Sequence, residues 1–416
     1  MKKFFVLLTA LIFWACSTEI SKNDADSLIA NDPDTVSDDA DSGDVSDKDG
    51  DAKTDTDDPG EADEDISDGS DDLQSDMDTP TADDEADMDI VPDDEVPMNF
   101  YFGNFHSHSG ISDGEGSAEE IMQWAKNEAN VDFYAMTDHS EQIFGGEWNE
   151  MKEMTDLYNE DGVFVAIRGF EWSHPLNGHI CIYFTDDFNA AYSALWISYI
   201  YDWIDEKNAI AQFNHPGREV NVFDDLDFEL KVADNMIAIE TGNKGDGNND
   251  GEFLPYYIKA LDKGWILAPA SNQDNHSMNI NTHRSVYVGP DLSRQSMIDA
   301  MYARRRYSSD DPDIKVTFRL GKDWMGSIVT TTESLLKFTV KIEDNEPVKE
   351  LQIISNGGNV VANSIIEGKQ NSVTWNPEIM VNMNSYYFLK VISEDVLDND
   401  GPDQIALTAP VWIIKQ

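Results

Sequence analysis

Hydrophobic and polar residues from about Met98 to residue 311 alternate between two patterns. Short apolar runs are separated by stretches in which apolar residues recur at helical spacing, and most of the runs are typical of buried strands. Frequent alternation of strand and helix predicts an α/β fold with a parallel sheet, and the length favours a closed barrel. The strand runs are 102–105, 131–137, 163–170, 179–184, 210–214, 236–240, 265–270 and 285–288, and the helices are 117–129, 147–159, 190–205, 255–263 and 294–304.

The first of these helices carries the clearest local signature. Ser117 and Glu120 stand at the spacing of a capping box, in which each residue satisfies a backbone N–H of the other. Ile121, Trp124 and Ala125 then fall on one face. The segment is predicted to be an amphipathic helix that packs on the sheet.

The pattern changes to a period of two from about residue 312. Leu336, Phe338, Val340 and Ile342 share one face of a strand, and the Asn-Gly-Gly sequence at 356–358 predicts a turn. Further strand-like runs lie at 373–375, 386–392 and 411–414. Residues 312–416 are therefore predicted to form a small all-β accessory domain, an immunoglobulin-like sandwich.

Charge is distributed unevenly along the 416 residues, whose formal net charge is −54. Residues 21–97 contain about thirty Asp and Glu, three Lys and no aromatic residue, so they cannot bury enough apolar surface to fold. We expect a disordered acidic linker over 17–97 and one large folded domain over 98–311. The rest of the chain is also acidic, so no nucleic-acid binding is expected.

The N-terminal sequence MKKFFVLLTALIFWACS is typical of a secretory signal peptide, here residues 1–16. Cys16 resembles the lipid acceptor of bacterial lipoproteins, which predicts a membrane anchor and a location in the bacterial cell envelope, at the outer membrane or surface. Ordinary cleavage with release is the alternative. The apolar run is too short to span a bilayer. The other cysteine, Cys181, lies in the apolar run HICIYF and is expected in the core.

All eight histidines lie between positions 106 and 283. His106 and His108 are two apart, so in an extended strand they face the same way, and Asp113 follows in a Gly- and Ser-rich loop. Other potential ligands stand where apolar runs end, and strand ends converge on one face of an α/β barrel. These are His139, Glu171, His215, Asp274 and His276, and His179 begins a strand.

Nine nitrogen and oxygen ligands without a cysteine suit two or three divalent ions such as Zn, Mn or Fe. Singly, each residue has a simpler explanation: His139 could cap a strand, Glu171 could pair with Arg168, and His215 could be a turn residue before a proline. Together they favour a multinuclear metal site. Two Asp- and Asn-rich segments, 246–251 and 398–401, are similar to calcium loops, although the first lacks the closing Glu, and a solvated turn is the alternative.

The motifs HSHSGISDG, TDH, GFE, NHP and QDNH, in this order, resemble the PHP (polymerase and histidinol phosphatase) superfamily. The sequences GFEW, NGH, FNHP, IETGN and RSVYVG are most similar to its carbaryl-hydrolase-like metallohydrolase branch, over roughly residues 100–308. The resemblance implies a distorted (β/α)7 TIM-like barrel with a trinuclear site. It implies one ion on His106, His108, Glu171 and Asp274, a second on Glu171, His179 and His215, and a third on Asp113, His139 and His276.

The resemblance also implies a function, in which a hydroxide shared by two ions attacks a bound ester. Asp274 would take a proton and His276 or His283 would protonate the leaving group, while Arg218, Lys244 and Arg284 could clamp a phosphate. The leading prediction is a metal-dependent phosphoesterase acting on a small-molecule ester. A carbamate, amide or carboxyl-ester hydrolase on the same metals is the alternative, and a non-catalytic surface binding module is the third possibility.

Overall fold

The computed structural model describes residues 97–191, 196–218, 221–243, 253–279, 281–395 and 403–416. The signal peptide, Cys16, Lys244, nearly all of the acidic linker and both calcium-like segments lie outside these residues. Within them the chain has a mixed α/β fold, which confirms the predicted fold class at that level. The described part of the chain contains no helix that is both long and apolar enough to cross a membrane.

Nine strands and six α-helices lie in the described residues up to about residue 309. Every predicted helix is present within a few residues, except that the third begins eight residues later than predicted. The strands are β1 (Asn99–Asn104), β2 (Phe133–Met136), β3 (Val165–His174), β4 (Gly178–Tyr183), β5 (Ile210–Phe213), β6 (Met236–Asn243), β7 (Ala268–Asn272), β8 (Arg284–Gly289) and β9 (Arg306–Ser309). The helices are α1 (Ala118–Asn127), α2 (Glu147–Tyr158), α3 (Ser198–Lys207), the single turn α4 (Phe223–Leu226), α5 (Leu254–Asp262) and α6 (Arg294–Tyr302).

These nine strands pair in the order β9-β8-β1-β2-β3-β4-β5-β6-β7, with β9 antiparallel to β8. The pairs β1/β2, β2/β3, β5/β6 and β6/β7 are parallel, whereas β4 runs antiparallel to both neighbours and β8 runs antiparallel to β1. The expectation of a parallel sheet is therefore wrong at β4 and β8. Strand β7 returns beside β8, where the Ser285 hydroxyl donates to the Ser271 carbonyl at 3.1 Å. A closed seven-stranded TIM-like barrel stays a prediction.

A tight hairpin reverses the chain between β3 and β4. Gly178 has φ +86°, a left-handed conformation that side chains with a Cβ rarely adopt. A Cβ at this position would also lie 2.5 Å from the ring of Phe223. The hairpin turns β4 back along β3, so that Glu171 and Cys181 are opposite each other in the ladder.

The C-terminal part consists of strands, as predicted. Leu336, Phe338, Val340 and Ile342 are all buried on one face, and the predicted turn at Asn356–Gly358 joins the two longest strands. An immunoglobulin-like arrangement stays a prediction. The strands are β10 (Lys315–Leu320), β11 (Asp323–Trp324), β12 (Ile328–Thr331), β13 (Leu335–Ser355), β14 (Asn359–Trp375), β15 (Glu378–Met380), β16 (Ser385–Ser393), β17 (Gln404–Thr408) and β18 (Val411–Lys415).

Contacts cross the predicted boundary between residues 311 and 312. Strand β17 pairs antiparallel with β9, with Ala406 opposite Ser309. The ring of Tyr257 on α5 lies 5.4 Å from that of Phe388 on β16, and both belong to one hydrophobic core. The division into a domain over 98–311 and another over 312–416 stays a prediction.

Candidate metal centre

In the segment that follows β1, successive side chains point to opposite sides, so Phe105 points away from His106 and His108. Phe105 points into the core against Phe133, with ring centroids 4.5 Å apart. His106 and His108 point the opposite way, and their Nε2 atoms lie 3.2 Å apart. The backbone of Ser107 is held in place because the N–H of Thr137 donates to its carbonyl at 2.8 Å. Both imidazoles are buried.

The loop that carries Asp113 is positioned by Asp138. This carboxylate accepts hydrogen bonds from the hydroxyls of Ser109 and Ser112 and from their backbone N–H groups. Gly114 allows a close approach, since a Cβ there would lie 2.4 Å from the carbonyl oxygen of His108. The carboxylate oxygens of Asp113 lie 3.7 Å from His108 Nδ1, 3.5 Å from His139 Nε2 and 3.4 Å from His276 Nε2.

Glu171 on β3 is the centre of the cluster. Its carboxylate is buried and lies within 3.4 Å of four imidazoles from four chain segments. The β3–β4 hairpin brings one of them, His179, back to the same side of the sheet. The distances from the carboxylate are 3.1 Å to His106 Nε2, 2.9 Å to His139 Nδ1, 3.3 Å to His179 Nδ1 and 3.4 Å to His215 Nε2.

Asp274 follows β7, and its carboxylate contacts two histidines and the guanidinium of Arg218. Its Oδ1 lies 3.2 Å from His106 Nε2 and 3.1 Å from His108 Nε2, while its Oδ2 accepts from Arg218 at 3.0 Å. The backbone φ is +46° at Asp274 and +27° at His215. Left-handed conformations at residues other than glycine store strain and concentrate at functional sites.

The structure thus gathers all nine predicted ligand residues in one place. Donor atoms of eight of them fall into groups in which all atoms lie within 4.8 Å of one another, and the ninth residue, His179, lies outside these groups at 3.3 Å from Glu171. This grouping differs in part from the one implied by family resemblance, because Glu171 groups with His106 and His215. The groups are His108, Asp113, His139 and His276; His106, Glu171 and His215; and His106, His108 and Asp274. Their assignment as ligands stays a prediction.

Two observations show that these residues fit divalent metal ions. His215 is 1% exposed, and neither ring nitrogen has a hydrogen-bond partner among the described residues, which leaves a buried lone pair for another ligand. Separations of 3.1–3.2 Å between His106 Nε2, His108 Nε2 and Asp274 Oδ1 are close to the ~3.4 Å expected for two ligands on a tetrahedral ion.

Glu240, at the end of β6, belongs to the cluster but was not predicted. Its Oε1 accepts from His106 Nδ1 at 3.0 Å, and its Oε2 accepts from the backbone N–H of His215 at 2.7 Å. Asn243 and Asn272 each donate to it at 2.8 Å. This partner fixes the tautomer of His106, with the proton on Nδ1 and the lone pair of Nε2 directed into the cluster. Like Glu171, Glu240 is an acidic residue at the end of an apolar run, and that signal could have identified it.

Charge within the cluster is strongly coupled. Burial opposes the charged form of His106, but the nearby carboxylates of Asp274 and Glu171 outweigh it and raise the pKa well above 6.5. Burial likewise disfavours a charged Glu171, yet His106 and His179 lower its pKa well below the ordinary value. Although burial lowers the pKa of His139, hydrogen bonds that its ring donates to the carboxylates of Asp113 and Glu171 raise this pKa to about 11. Without a metal, protons on the histidines balance the carboxylates, and metal ions would take their place.

The cluster contains buried and partly exposed side chains. The side chains of His106, His108, Glu171, His215 and Asp274 are nearly or completely buried. Other members are partly exposed among the described residues, and a substrate could approach them from solvent. These are His139 (14%), His179 (22%), His276 (30%), Arg218 (32%) and Asp113 (45%).

The remaining predicted residues lie elsewhere. Arg284 is buried, and its Nη1 donates to the carbonyls of Asn281 and His283. His283 is also buried and its Nδ1 lies 2.7 Å from the Ser271 hydroxyl. His174 accepts hydrogen bonds from backbone N–H groups of the hairpin. The catalytic roles predicted for Arg284 and His283 stay predictions.

Comparison with known proteins gives limited information. No family model matches the chain. The chain is 20% identical over 365 residues to an uncharacterized protein of Chlamydia pneumoniae, and it spans 57% of the length of that relative. A solved two-domain protein from Bacteroides vulgatus, described as containing a predicted PHP-like metal-dependent phosphoesterase, aligns over 76% of this chain and 95% of its own, with 14% identity and a TM-score of 0.42. Membership of the PHP superfamily therefore stays a prediction from the sequence motifs.

Proposed function

We propose that the chain is a metal-dependent hydrolase and that the histidine and carboxylate cluster is its active site. The observation that carries the proposal is the convergence of nine potential ligands from separate segments around Glu171, with several of them partly exposed to solvent. Residues that only stabilised the fold would not need to gather six imidazoles around the carboxylates of Asp113, Glu171 and Asp274.

The contacts of each residue indicate its role in the proposed reaction. Glu171, with four imidazoles around it, is the best candidate to bridge two ions. Ions held there would supply Lewis-acid activation of water and of the bound ester. His276 donates from Nδ1 to the Asp274 carbonyl at 2.9 Å, so its Nε2 faces Asp113. That orientation suits a ligand, or a group that exchanges a proton near the leaving group.

Asp274 is a weaker candidate for a general base than the sequence motif alone implied. Its Oδ2, which the predicted role left available for a proton, is occupied by Arg218 at 3.0 Å. Burial would raise its pKa, but His106 and His108 hold that pKa well below the usual range. Asp274 would therefore serve mainly to orient Arg218 and to bind metal.

Arg218 favours a phosphoester as the substrate. Its guanidinium is 32% exposed and reaches the cluster through Asp274, and it also donates to Asn243 at 3.0 Å. A guanidinium at the edge of a metal site carries a fixed positive charge, which favours a substrate with a negatively charged phosphate oxygen. We therefore place a small phosphomonoester or phosphodiester first.

Replacing Arg218 tests this choice of substrate. Arg218→Ala should lower kcat/KM on a phosphate ester by roughly tenfold to a hundredfold, because one charge-assisted contact contributes about 1.5 to 3 kcal/mol. Activity on an uncharged carboxyl or carbamate ester should change little. Steady-state kinetics of the metal-reconstituted protein on both substrates provide the measurement. Arg319→Ala removes the same charge far from the cluster and serves as the control.

The outcome also decides between the two candidate activities. Carbamate, amide or carboxyl-ester hydrolysis is favoured by the acidity of the cluster, in which Asp113, Glu171, Glu240 and Asp274 disfavour an anionic substrate. Equal losses on both esters, or none on the phosphate ester, would count against a phosphoesterase. A reconstituted protein that hydrolyses none of them would favour the non-catalytic binding module.

The cellular location is part of the same proposal. The sequence of residues 1–16 supports export, and Cys16 supports a lipid anchor that would hold the hydrolase at the bacterial envelope. The acidic segment 17–97 would then separate the active site from the membrane. Its substrates would be small esters that are present outside the cytoplasm.

A further inference from the structure

A second group of carboxylates lies where the α/β part meets the C-terminal strands. Asp311 and Asp313 belong to the connection between β9 and β10. Asp344 and Glu346 lie in β13, at the register irregularity between Glu343 and Val348. One oxygen from each of the four lies within 4.8 Å of the others. Two distant segments therefore place four acids in one small volume, a cluster we term the junction acids.

Two of the junction acids are buried, and each has one carboxylate oxygen without a hydrogen-bond partner among the described residues. Asp311 is 0% exposed, and although its Oδ1 accepts from the backbone N–H groups of Asp313 and Ile314, its Oδ2 has no hydrogen-bond partner among the described residues. Glu346 is 4% exposed, and its Oε2 likewise has no partner within the described ranges. Buried carboxylate oxygens are normally paired because their desolvation is costly.

The surroundings supply little positive charge. Asn345 donates to Asp313, and the backbone N–H of Glu346 donates to Asp344. Arg284 interacts electrostatically with Asp311 and Asp313, but its Nη1 is already bound to backbone carbonyls. Asp395 adds a further negative charge near Glu346. Burial and the neighbouring acids raise the pKa of Asp311 to about 7, which indicates how unfavourable four charges are without a cation.

We propose that the junction acids form a calcium site, separate from the histidine cluster, that joins the β9–β10 connection to strand β13. The donor set contains only carboxylate oxygens, which hard cations prefer, whereas transition metals prefer sites that include imidazole or thiolate. Four carboxylates provide up to eight oxygens, which matches the coordination number of Ca²⁺. Mg²⁺ requires a strict octahedron and keeps most of its water, so it would fit less well.

The site would act on stability rather than on chemistry. It lies on segments of both parts of the chain, so a bound cation would hold them together and remove the repulsion among the acids. A ligand that binds the folded state alone raises its stability by mass action. Calcium would thus protect the fold wherever the ion is plentiful.

Thermal unfolding of the full-length, metal-reconstituted protein tests the proposal. Addition of about 5 mM CaCl₂, above the range of dissociation constants for extracellular calcium modules, should raise Tm by about 5 °C. The same concentration of MgCl₂ should raise it much less. Asp311→Asn and Glu346→Gln should each abolish most of the calcium-dependent shift. Glu343→Gln removes an exposed acid next to Asp344 and should retain it.

The acidic segment 17–97 is present in the wild type and in every variant, so any effect of calcium on this segment contributes equally to all of the measured Tm shifts. The proposal is overturned if calcium leaves the wild-type Tm unchanged, if magnesium acts equally well, or if the Asp311 and Glu346 variants respond like the wild type. If the junction acids share a proton instead of binding a cation, Asp311→Asn should raise Tm in calcium-free buffer, and calcium should have no effect on the wild type. Since none of these readouts uses turnover, they are independent of the proposed hydrolase activity.

Discussion

His106 shows how one buried residue depends on the residue behind it. Its Nε2 faces Glu171 and Asp274, while its Nδ1 donates to Glu240. A carboxylate behind an imidazole fixes the tautomer and makes the opposite nitrogen a better ligand. Glu240 therefore acts as a positioning residue for His106, and it also holds the strained backbone of His215 through its N–H.

Glu240→Gln tests this role. The amide keeps the size of the side chain but loses the charge, so metal affinity should fall about tenfold to a hundredfold. Competition with a chelator of known affinity would measure it, and circular dichroism would show whether the fold is retained. Glu160→Gln, which removes an exposed acid paired with Lys126, is the control. Unchanged metal affinity in Glu240→Gln would show that His106 needs no such partner.

At the scale of single residues, much of the candidate site could be predicted from the sequence. All nine ligand candidates converge, because histidines and acids placed at strand ends meet on one side of a sheet. Glu240 and Asp138 lie within the motifs IETGN and TDH, but their roles were missed because the sequence does not show which side chains and loops they contact. The pairing of Arg218 with Asp274 could not have been foreseen either, since it depends on a left-handed backbone at Asp274.

The β3–β4 hairpin is the element that completes the cluster. It places His179 on the same side as Glu171 although the two residues lie on different strands. Gly178 permits the turn through its positive φ and its lack of a Cβ next to Phe223. Hydrophobic periodicity does not report strand direction, which explains why β4 was predicted as a strand but not as an antiparallel one.

Gly178→Ala should destabilise the protein by about 2 to 4 kcal/mol, from left-handed strain and from the clash with Phe223. Chemical denaturation would measure the loss, and metal content should fall as His179 shifts. Gly146→Ala provides the comparison, because its φ is −91° and nothing lies within 4 Å of the new Cβ, so stability should hardly change. Equal stability of the two variants would contradict the role of the hairpin glycine.

Helix α5 contacts the C-terminal strands through a half-buried acid. The carboxylate of Asp262 accepts from the Tyr386 hydroxyl at 2.8 Å and from the backbone N–H of Gly357 at 2.9 Å. Burial raises its pKa above the ordinary 3.8, although these hydrogen bonds act in the opposite direction. An acid that binds its proton more tightly when folded lowers stability as the pH rises above the pKa of the unfolded chain.

Asp262→Asn should therefore gain stability relative to the wild type as the pH is raised from about 4 towards 7. Urea denaturation at several pH values would measure the difference in the free energy of unfolding. Tyr386→Phe should steepen the pH dependence, because it removes a hydrogen bond that favours the charged carboxylate. A difference between wild type and Asp262→Asn that does not vary with pH would show that Asp262 is charged in the folded protein at no cost.

At the scale of the whole molecule, the proposed anchor and the active site should be separable. Deleting residues 21–90 should leave turnover of small substrates and membrane association unchanged, since Cys16 remains. Cys16→Ala should release the protein from the membrane fraction and also leave turnover unchanged. Fractionation and assays of both variants provide the test. A large loss of turnover after the deletion would show that the acidic segment contributes to the site.

The pairing of β9 with β17 has a consequence for how the chain is made. Until Gln404–Thr408 have been delivered, β9 exposes a row of unpaired backbone groups along one edge. The chain up to Thr408 must therefore emerge before the sheet next to the histidine cluster is complete, and until then the growing chain has an edge that favours aggregation. Under the proposed export this delay is an advantage, because a chain that cannot finish folding during synthesis stays competent for translocation.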